Sequence, residues 1–138
     1  MSLERVHIGG PMPLAPRRAI SNRYHFEALD EGRLVTRWCG ACNAFCFPPL
    51  DRCRACGSRE VSWREMPGDG TLYASTTLHA VAEGFRPHAP IQVGVIDLHC
   101  GVRLLAWLVE AAIPLDTEVR LCALHFDDGT LLGAKEKR

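Results

Sequence analysis

The 138-residue chain has no long hydrophobic run, and its first residues contain no continuous apolar core. A membrane-spanning helix needs about 20 consecutive apolar residues, and a secretory signal needs an apolar core behind a basic start. Neither pattern is present, so we expect a cytoplasmic protein without a membrane partner, whose thiols stay reduced. The composition, with 47% hydrophobic and 23% charged residues, is typical of an ordinary globular chain.

The chain also lacks net charge, because 16 basic residues balance 16 acidic ones. Residues 67–138 hold six basic and nine acidic residues, whereas a nucleic-acid-binding protein needs a basic surface. The same segment has only four large aromatic residues, which are the platforms on which single-stranded nucleic acid stacks. Arg17, Arg18 and Arg23 form a basic N-terminal group, so nucleic-acid binding stays the alternative function rather than the leading one.

Signatures of catalysis are missing as well. No Gly-rich phosphate loop is present, no pair of carboxylates stands out, and no two of the six histidines have metal-ligand spacing. Cys100 falls at a turn where we expect it to be exposed, and a nucleophilic cysteine needs a base beside it. Only His99 is adjacent in sequence. We therefore expect a protein that is not an enzyme.

What the chain does have is cysteine, seven in all, of which four form two CxxC units with ten residues between them. A CxxC turn directs two thiolates at one ion, and two such turns complete a tetrahedral sulfur shell with metal–sulfur distances near ~2.3 Å. Asn43 and Gly57 follow the two units, and both residue types tolerate the left-handed conformation that points amides at sulfur. The predicted ligands of a structural Zn²⁺ are Cys39, Cys42, Cys53 and Cys56.

Two other readings of the four cysteines stay open at this point. Iron can occupy the same four-sulfur shell as a redox centre, and the cysteines could instead form disulfides or remain free thiols. With four protein ligands the metal has no open coordination position, so it is not expected to be catalytic. Cys46 and Cys122 lie in apolar strand patterns and are predicted to be small buried hydrophobes.

Proline, glycine and helix-capping residues mark the boundaries between segments of the chain. Pro11, Pro13 and Pro16 indicate an extended arm without regular structure, while Asn22 is a plausible helix cap and Gly32 a plausible helix stop. Five short apolar or alternating segments follow the cysteines, including a regular alternation from Thr71 to His79, and they suggest a small closed barrel. The predicted organisation is an arm at 1–20, a helix at 21–33, a zinc ribbon at 34–60 and a barrel at 61–138.

The order of these motifs is familiar. Arg37-Trp38-Cys39-Gly40-Ala41-Cys42, then Phe47-Pro48-Pro49, Cys53-Arg54-Ala55-Cys56-Gly57-Ser58 and Gly68-Asp69-Gly70-Thr71-Leu72-Tyr73 succeed one another. This succession resembles the zinc-ribbon/OB-fold family of acyl-CoA-associated proteins, long described as a domain of unknown function. The resemblance covers residues 22–132. It departs at Cys100, where the family commonly has an acidic residue, and in its longer proline-rich arm.

The resemblance implies a mostly β fold: a short N-terminal helix, a rubredoxin-like zinc ribbon and a five-stranded OB-fold barrel. Members are typically partners of thiolase-like enzymes rather than catalytic subunits; in archaea one bridges two acyl-CoA enzymes and its barrel helps to hold their CoA. We therefore expect an accessory subunit of an acyl-CoA enzyme that contacts CoA. Arg86 and Arg103 are the candidate phosphate contacts, and Tyr24, Phe26 and Phe47 are the candidate anchors at the partner interface.

Overall fold

The structure is a computed structural model that describes residues 2–13 and 19–137. Within these ranges no helix is long and apolar enough to cross a membrane. Pro16, part of the predicted arm, lies outside the described residues, as do Arg17 and Arg18. The elements are β1 (Glu4–His7), α1 (Arg23–Asp30), β2 (Val35–Cys39), β3 (Ala44–Cys46), β4 (Val61–Glu65), β5 (Asp69–Leu78), a 3₁₀ helix (Glu83–His88), β6 (Ile91–Leu98), β7 (Arg103–Leu108), β8 (Glu118–Phe126) and β9 (Gly129–Glu136).

Helix α1 begins after Asn22 and ends at a left-handed glycine, as predicted. The Asn22 side chain does not cap the helix, because its Oδ1 accepts a hydrogen bond from the Ala19 amide at 2.7 Å instead. At the other end Gly32 has φ of +80°, and the Arg33 amide donates to the Ala28 carbonyl at 2.8 Å. This Schellman arrangement stops the helix and turns the chain into the ribbon.

The ribbon is a three-stranded antiparallel sheet in the order β3–β2–β4. Its register sets Trp38 opposite Phe45, and Arg37 opposite Trp63. The sheet joins α1 through His25, a buried residue of the helix whose Nδ1 lies 2.7 Å from the Val35 carbonyl oxygen. The helix is therefore attached to the ribbon by a hydrogen bond shielded from water, as a helix this short requires tertiary support.

Strands β5–β6–β7–β9–β8 form a closed barrel, since β8 pairs with both β9 and β5. Only the β7–β9 contact is parallel among these pairs. The interior is apolar: Leu72, Ile96, Val119 and Leu121 are completely buried. The predicted mostly β fold, with a short helix, a zinc ribbon and a five-stranded barrel, is confirmed.

Strand β5 changes face at a β-bulge between Leu72 and Ala74. Leu72 pairs with Ile96 inside the barrel, whereas Ala74 pairs with Val95 on the outer side. Because a bulge inserts an extra residue into one strand, the alternation beyond it is inverted. The regular alternation predicted from Thr71 to His79 is wrong past this point, and Leu78 lies outward, 41% exposed.

The predicted arm is not without regular structure. Residues 4–7 form strand β1, which pairs in parallel with the stretch of β8 from Cys122 to His125. On the same edge of β8, strand β5 pairs only with the residues from Glu118 to Arg120. Without β1 the next part of that edge would have no partner strand, and an unpaired edge is unfavourable. Further along, the Met12 amide donates to Asp128 Oδ1 at 2.7 Å. The arm is therefore docked on the barrel at both places.

Candidate metal centre

The two CxxC turns bring four sulfur atoms together at one edge of the ribbon. All four lie within 4.8 Å of one another, with 3.6 Å between the sulfurs of Cys39 and Cys56 and 3.6 Å between those of Cys42 and Cys53. A tetrahedron with Zn–S bonds of ~2.3 Å has sulfur–sulfur edges of about 3.8 Å, whereas a disulfide needs about 2.05 Å. The donor set fits zinc and does not fit disulfides.

The turns are shaped by the residues that follow them. Asn43 has φ of +53° and Gly57 has φ of +75°, so the predicted left-handed conformation after each CxxC unit is present. In the second turn the amides of Cys56 and Ala55 donate to the sulfur of Cys53, and these bonds lower the pKa of its thiol to about 6. This sulfur is therefore prepared to act as a thiolate ligand.

The other sulfurs show why a cation belongs there. Hydrogen bonds with Cys39 and Cys53 raise the pKa of the Cys42 thiol to about 12. Four negative charges cannot occupy so small a volume by themselves, since like charges at this distance disfavour ionisation. A divalent cation would remove this conflict, and its binding would release the protons. Cys39, Cys42, Cys53 and Cys56 are thus the residues that would hold zinc, and a closed four-sulfur site of this kind stabilises the fold around it.

Cys46 and Cys122 behave as predicted. Cys46 packs against Cys39 and Cys53 beside the metal centre and is 7% exposed, and burial is the main cause that raises the pKa of its thiol to about 11. Cys122 is completely buried in a second cluster with Leu124 and Phe126, apart from the main core, and burial raises its thiol pKa to about 12. Both act as small hydrophobic residues.

Cys100 differs from the prediction. It is only partly exposed and packs against the barrel core, and burial raises the pKa of its thiol. A raised pKa reduces the thiolate fraction that nucleophilic attack requires. The neighbouring His99 is directed elsewhere, with its Nε2 2.9 Å from Glu118. The geometry gives no nucleophile–base pair at this turn.

Stacked arginine and tryptophan side chains surround the ribbon, a feature that the sequence analysis missed. The Arg37 guanidinium carbon lies 4.2 Å from the centroid of the Trp63 ring, and that of Arg64 lies 4.3 Å from the centroid of Trp38. Tyr24 of α1 meets Trp63 edge-on at 5.2 Å between ring centroids. Each of the two contacts between an arginine and a tryptophan ring is a cation–π interaction worth about 0.5–2 kcal/mol. Only the β2–β4 register could have indicated them.

The three predicted partner anchors lie on neighbouring parts of the helix and ribbon. Tyr24 is 39% exposed, whereas Phe26 and Phe47 are partly buried. The His25 ring connects two of them, with centroids 5.0 Å from Phe26 and 5.7 Å from Phe47. Phe47 also packs against the main core. The structure therefore brings these residues together, with Phe47 as much a packing residue as a surface one.

The two predicted CoA contacts are not brought together. Arg103 begins β7 opposite Asp97, whereas Arg86 lies in the 3₁₀ helix that precedes Ile91. The six-residue advance from Ile91 to Asp97 along β6 spans about 20 Å, so the two arginines lie at opposite ends of this strand. Arg103 is also engaged: its Nε and Nη2 donate to the Asp97 carboxylate at 2.5 and 3.1 Å, and this pairing lowers the pKa of Asp97.

The closed sulfur shell and the OB-fold barrel define the class of the protein: it is a zinc-ribbon/OB-fold protein. Residues 26–62 match the family model described as the ChsH2 rubredoxin-like zinc ribbon domain, and residues 63–124 match that of the ChsH2 C-terminal OB-fold domain. The chain belongs to the ChsH2 family, whose solved relatives also carry the name DUF35.

Two solved structures resemble the chain. One, titled Ltp2-ChsH2(DUF35) aldolase, is 30% identical with a TM-score of 0.76, and the match covers 88% of this chain and 98% of that one. The other, a DUF35 protein of unknown function from Sulfolobus solfataricus, is 16% identical with a TM-score of 0.61 over 86% of each chain and supports the fold alone.

A longer relative comes from Thermomonospora curvata and is named probable enoyl-CoA hydratase alpha subunit. It is 35% identical over 108 residues, which are 74% of this chain. The chain spans only 32% of that relative's length.

Proposed function

We propose that the chain is a non-catalytic, zinc-stabilised accessory subunit that associates with a thiolase-like enzyme acting on acyl-CoA and contacts CoA. The observation that carries the proposal is the 30% identity over 98% of the chain in the structure titled Ltp2-ChsH2(DUF35) aldolase. The aldolase named in that title concerns the relative. For this chain, a similar partner enzyme is a hypothesis.

The chemistry of the chain supports a subunit without turnover of its own. The four sulfur ligands leave no coordination position for a substrate, and Cys100 is a partly buried thiol of raised pKa. Apart from the four zinc ligands, no cysteine in the part of the chain that the structure describes has a base positioned to activate it. A site with these properties lacks the nucleophile, base and orienting group that acyl transfer requires.

The surface near α1 offers anchors for a partner. Tyr24 and Phe26 extend from the helix, Phe47 from the ribbon, and the stacks of Arg37 and Trp63 hold the sheet beneath them. Anchors that are partly supported by neighbours lose little conformational freedom on binding, which favours affinity. For CoA, Arg86 is the better phosphate contact, because Arg103 is already paired with Asp97.

An enoyl-CoA hydratase is the second candidate partner, favoured by the name of the Thermomonospora curvata relative. In that relative the matched region is a third of a longer subunit, so the chain could supply to a hydratase what the longer protein carries in one polypeptide. Both candidates are subunit functions in acyl-CoA chemistry and differ in the enzyme that is bound.

The test is a turnover comparison with purified components. A thiolase-like enzyme and an enoyl-CoA hydratase from the same organism are each assayed on acyl-CoA, first without the chain and then with it. The chain by itself is assayed on the same substrate. We expect the chain alone to be inactive and to raise the activity of one enzyme. Acyl-CoA hydrolysis or transfer by the isolated chain that disappears in Cys100→Ala would overturn the proposal.

A further inference from the structure

A cavity of about 510 Å³ lies on the outer face of the barrel. The segment before and within the 3₁₀ helix forms one wall, and strands β6, β7 and β9 form the floor. Residues that line it include Leu78, Val81, Phe85, Val93, Leu105 and Trp107. A volume of this size is within the range of small-molecule sites, about 300–1,000 Å³.

A second depression of about 350 Å³ continues the first along the sheet. The two share Leu78, Val93 and Leu105, so they form one groove across β5, β6 and β7. The bulge in β5 creates it by turning Ala74 and Leu78 outward. The groove is therefore elongated, with its larger part beside the 3₁₀ helix.

The larger part, beside the 3₁₀ helix, is already formed. The Trp107 ring lies 5.4 Å from His88 and 6.1 Å from Phe126, centroid to centroid, which fixes the floor. The wall is supported from behind, because a Cβ at Gly84 would collide with the carbonyl oxygen of Pro13. A preformed cavity costs little ordering free energy when a ligand enters.

The lining selects against polar ligands. Every described residue that lines the 510 Å³ cavity is apolar, and the strands beneath it already pair with one another within the closed barrel. A sugar, a base or an extended peptide would leave hydrogen-bonding groups without partners there, at a cost of about 1–3 kcal/mol per group. OB-folds use this face, the second and third strands with the first loop, for polar ligands; here it is suited to hydrocarbon.

The rim carries charge next to this apolar wall. Arg86 follows Phe85 in the 3₁₀ helix, and among the described residues its side chain has no ion-pair partner. Glu83, at the start of the same helix, is also exposed and forms no ion pair in the described part of the chain. Because Arg86 is adjacent in the chain to the lining residue Phe85, it is the cation available to the anionic end of an elongated apolar ligand.

We propose that this groove binds the hydrocarbon chain of an acyl group, with its anionic end, a carboxylate or the phosphates of CoA, directed to Arg86. The choice of an acyl chain rests on the proposed function, while the apolar character of the ligand rests on the groove itself. The chain would then hold the acyl part of a substrate, and not only contact its partner enzyme.

Isothermal titration calorimetry of the zinc-loaded chain tests the proposal with octanoate, decanoate, decanoyl-CoA and CoA. We expect decanoate to bind about fifteen-fold more tightly than octanoate, since each buried methylene contributes about 0.8 kcal/mol. Decanoyl-CoA should bind and CoA alone should bind far more weakly. Tight decanoyl-CoA binding without decanoate binding would assign the contact to the CoA part and overturn the hydrocarbon proposal.

Matched variants locate the site. Leu105→Glu places a charge on the floor shared by the two depressions, at a position 66% exposed where folding is not at risk, and should abolish decanoate binding. Leu115→Glu, the same change at an exposed leucine outside the groove, should leave it intact. Arg86→Ala should weaken every ligand up to about fivefold, the scale of an exposed ion pair, whereas Glu83→Ala should not weaken any.

Further outcomes would also overturn the inference. Equal affinity of octanoate and decanoate, or equal binding by Leu105→Glu and Leu115→Glu, would exclude a hydrocarbon site in the groove. If instead the chain binds no acyl ligand but Leu105→Glu prevents assembly with the partner enzyme, the groove is a protein interface. That result would leave the proposed accessory function standing and remove only the acyl-chain assignment.

Discussion

The sulfur atoms of Cys42 and Cys53, which belong to different CxxC turns of the ribbon, lie 3.6 Å apart. Between them are ten residues in which β3 is the only strand or helix. The sulfur cluster is separate from the barrel core, which has its own set of buried residues. A metal bound by these sulfurs therefore stabilises the ribbon rather than the barrel.

The first prediction concerns the metal. Purified protein should contain one zinc per chain by elemental analysis, and Cys53→Ser should lose it and unfold the ribbon, because structural zinc contributes directly to folding free energy. Cys100→Ser, which changes a cysteine outside the cluster, should keep the metal. Iron, or a folded and monodisperse sample without metal, would refute the assignment.

The second prediction concerns the left-handed residue after the second turn. Gly57→Ala should weaken zinc binding about tenfold, since a residue with a Cβ pays about 1–2 kcal/mol in this conformation. Gly101→Ala introduces a comparable change at φ of +97° in the β6–β7 turn, and it should lower stability without changing zinc affinity. A competition titration with a chelator distinguishes the two, and equal zinc affinities would contradict the account.

The third prediction concerns His25. Burial lowers the pKa of its imidazole, against a smaller opposing effect of the hydrogen bond to the Val35 carbonyl. Because the folded-state pKa lies below the ordinary value of 6.5, the stability that neutral His25 provides is present above pH 6.5 and is lost as the pH falls through the lowered value. Urea unfolding of zinc-loaded protein should therefore show a steeper loss from pH 7.5 to 5.5 than His25→Phe. Parallel profiles would contradict it.

The fourth prediction concerns nucleic acid. The groove on the OB-fold face is apolar, and Arg103 is paired with Asp97, so the described residues of this face form no basic channel for a phosphate backbone. Fluorescence anisotropy with single-stranded DNA and RNA at physiological salt should show no saturable binding below the micromolar range. A tighter, strongly salt-dependent isotherm would favour the alternative function.

The barrel strands were predictable because their residues alternate between interior and surface. The apolar segment from Ile91 to Leu98 is one of these strands in the structure, and the CxxC spacing with Asn43 and Gly57 predicted the metal centre. These signals are local: a period of two residues and a tight turn are read directly from neighbouring residues.

The features that were missed depend on contacts between distant segments. Strand β1 has four residues and exists because the Cys122–His125 edge of β8 needs a partner. The bulge after Leu72 is set by the β5–β6 register, and it inverts the predicted alternation so that Leu78 lines the groove. Arg86 and Arg103 were both predicted to contact CoA because both are basic residues of the barrel. Residue type alone does not indicate which end of a strand each residue occupies.

The most direct measurement of the accessory-subunit claim is the composition of the complex that this chain forms in its native cells. Tagged chain should co-purify in a fixed ratio with a thiolase-like or other acyl-CoA enzyme, identified by mass spectrometry and re-formed from the two purified proteins. Phe26→Ala and Phe47→Ala should each weaken that re-formed complex by more than about 1 kcal/mol, the scale of an anchor residue, with zinc content and circular dichroism unchanged. Leu115→Ala, at a 55% exposed leucine of the barrel away from the three anchors, should have little effect. A chain that purifies alone, and that does not bind either candidate enzyme when the two are mixed, would contradict the claim.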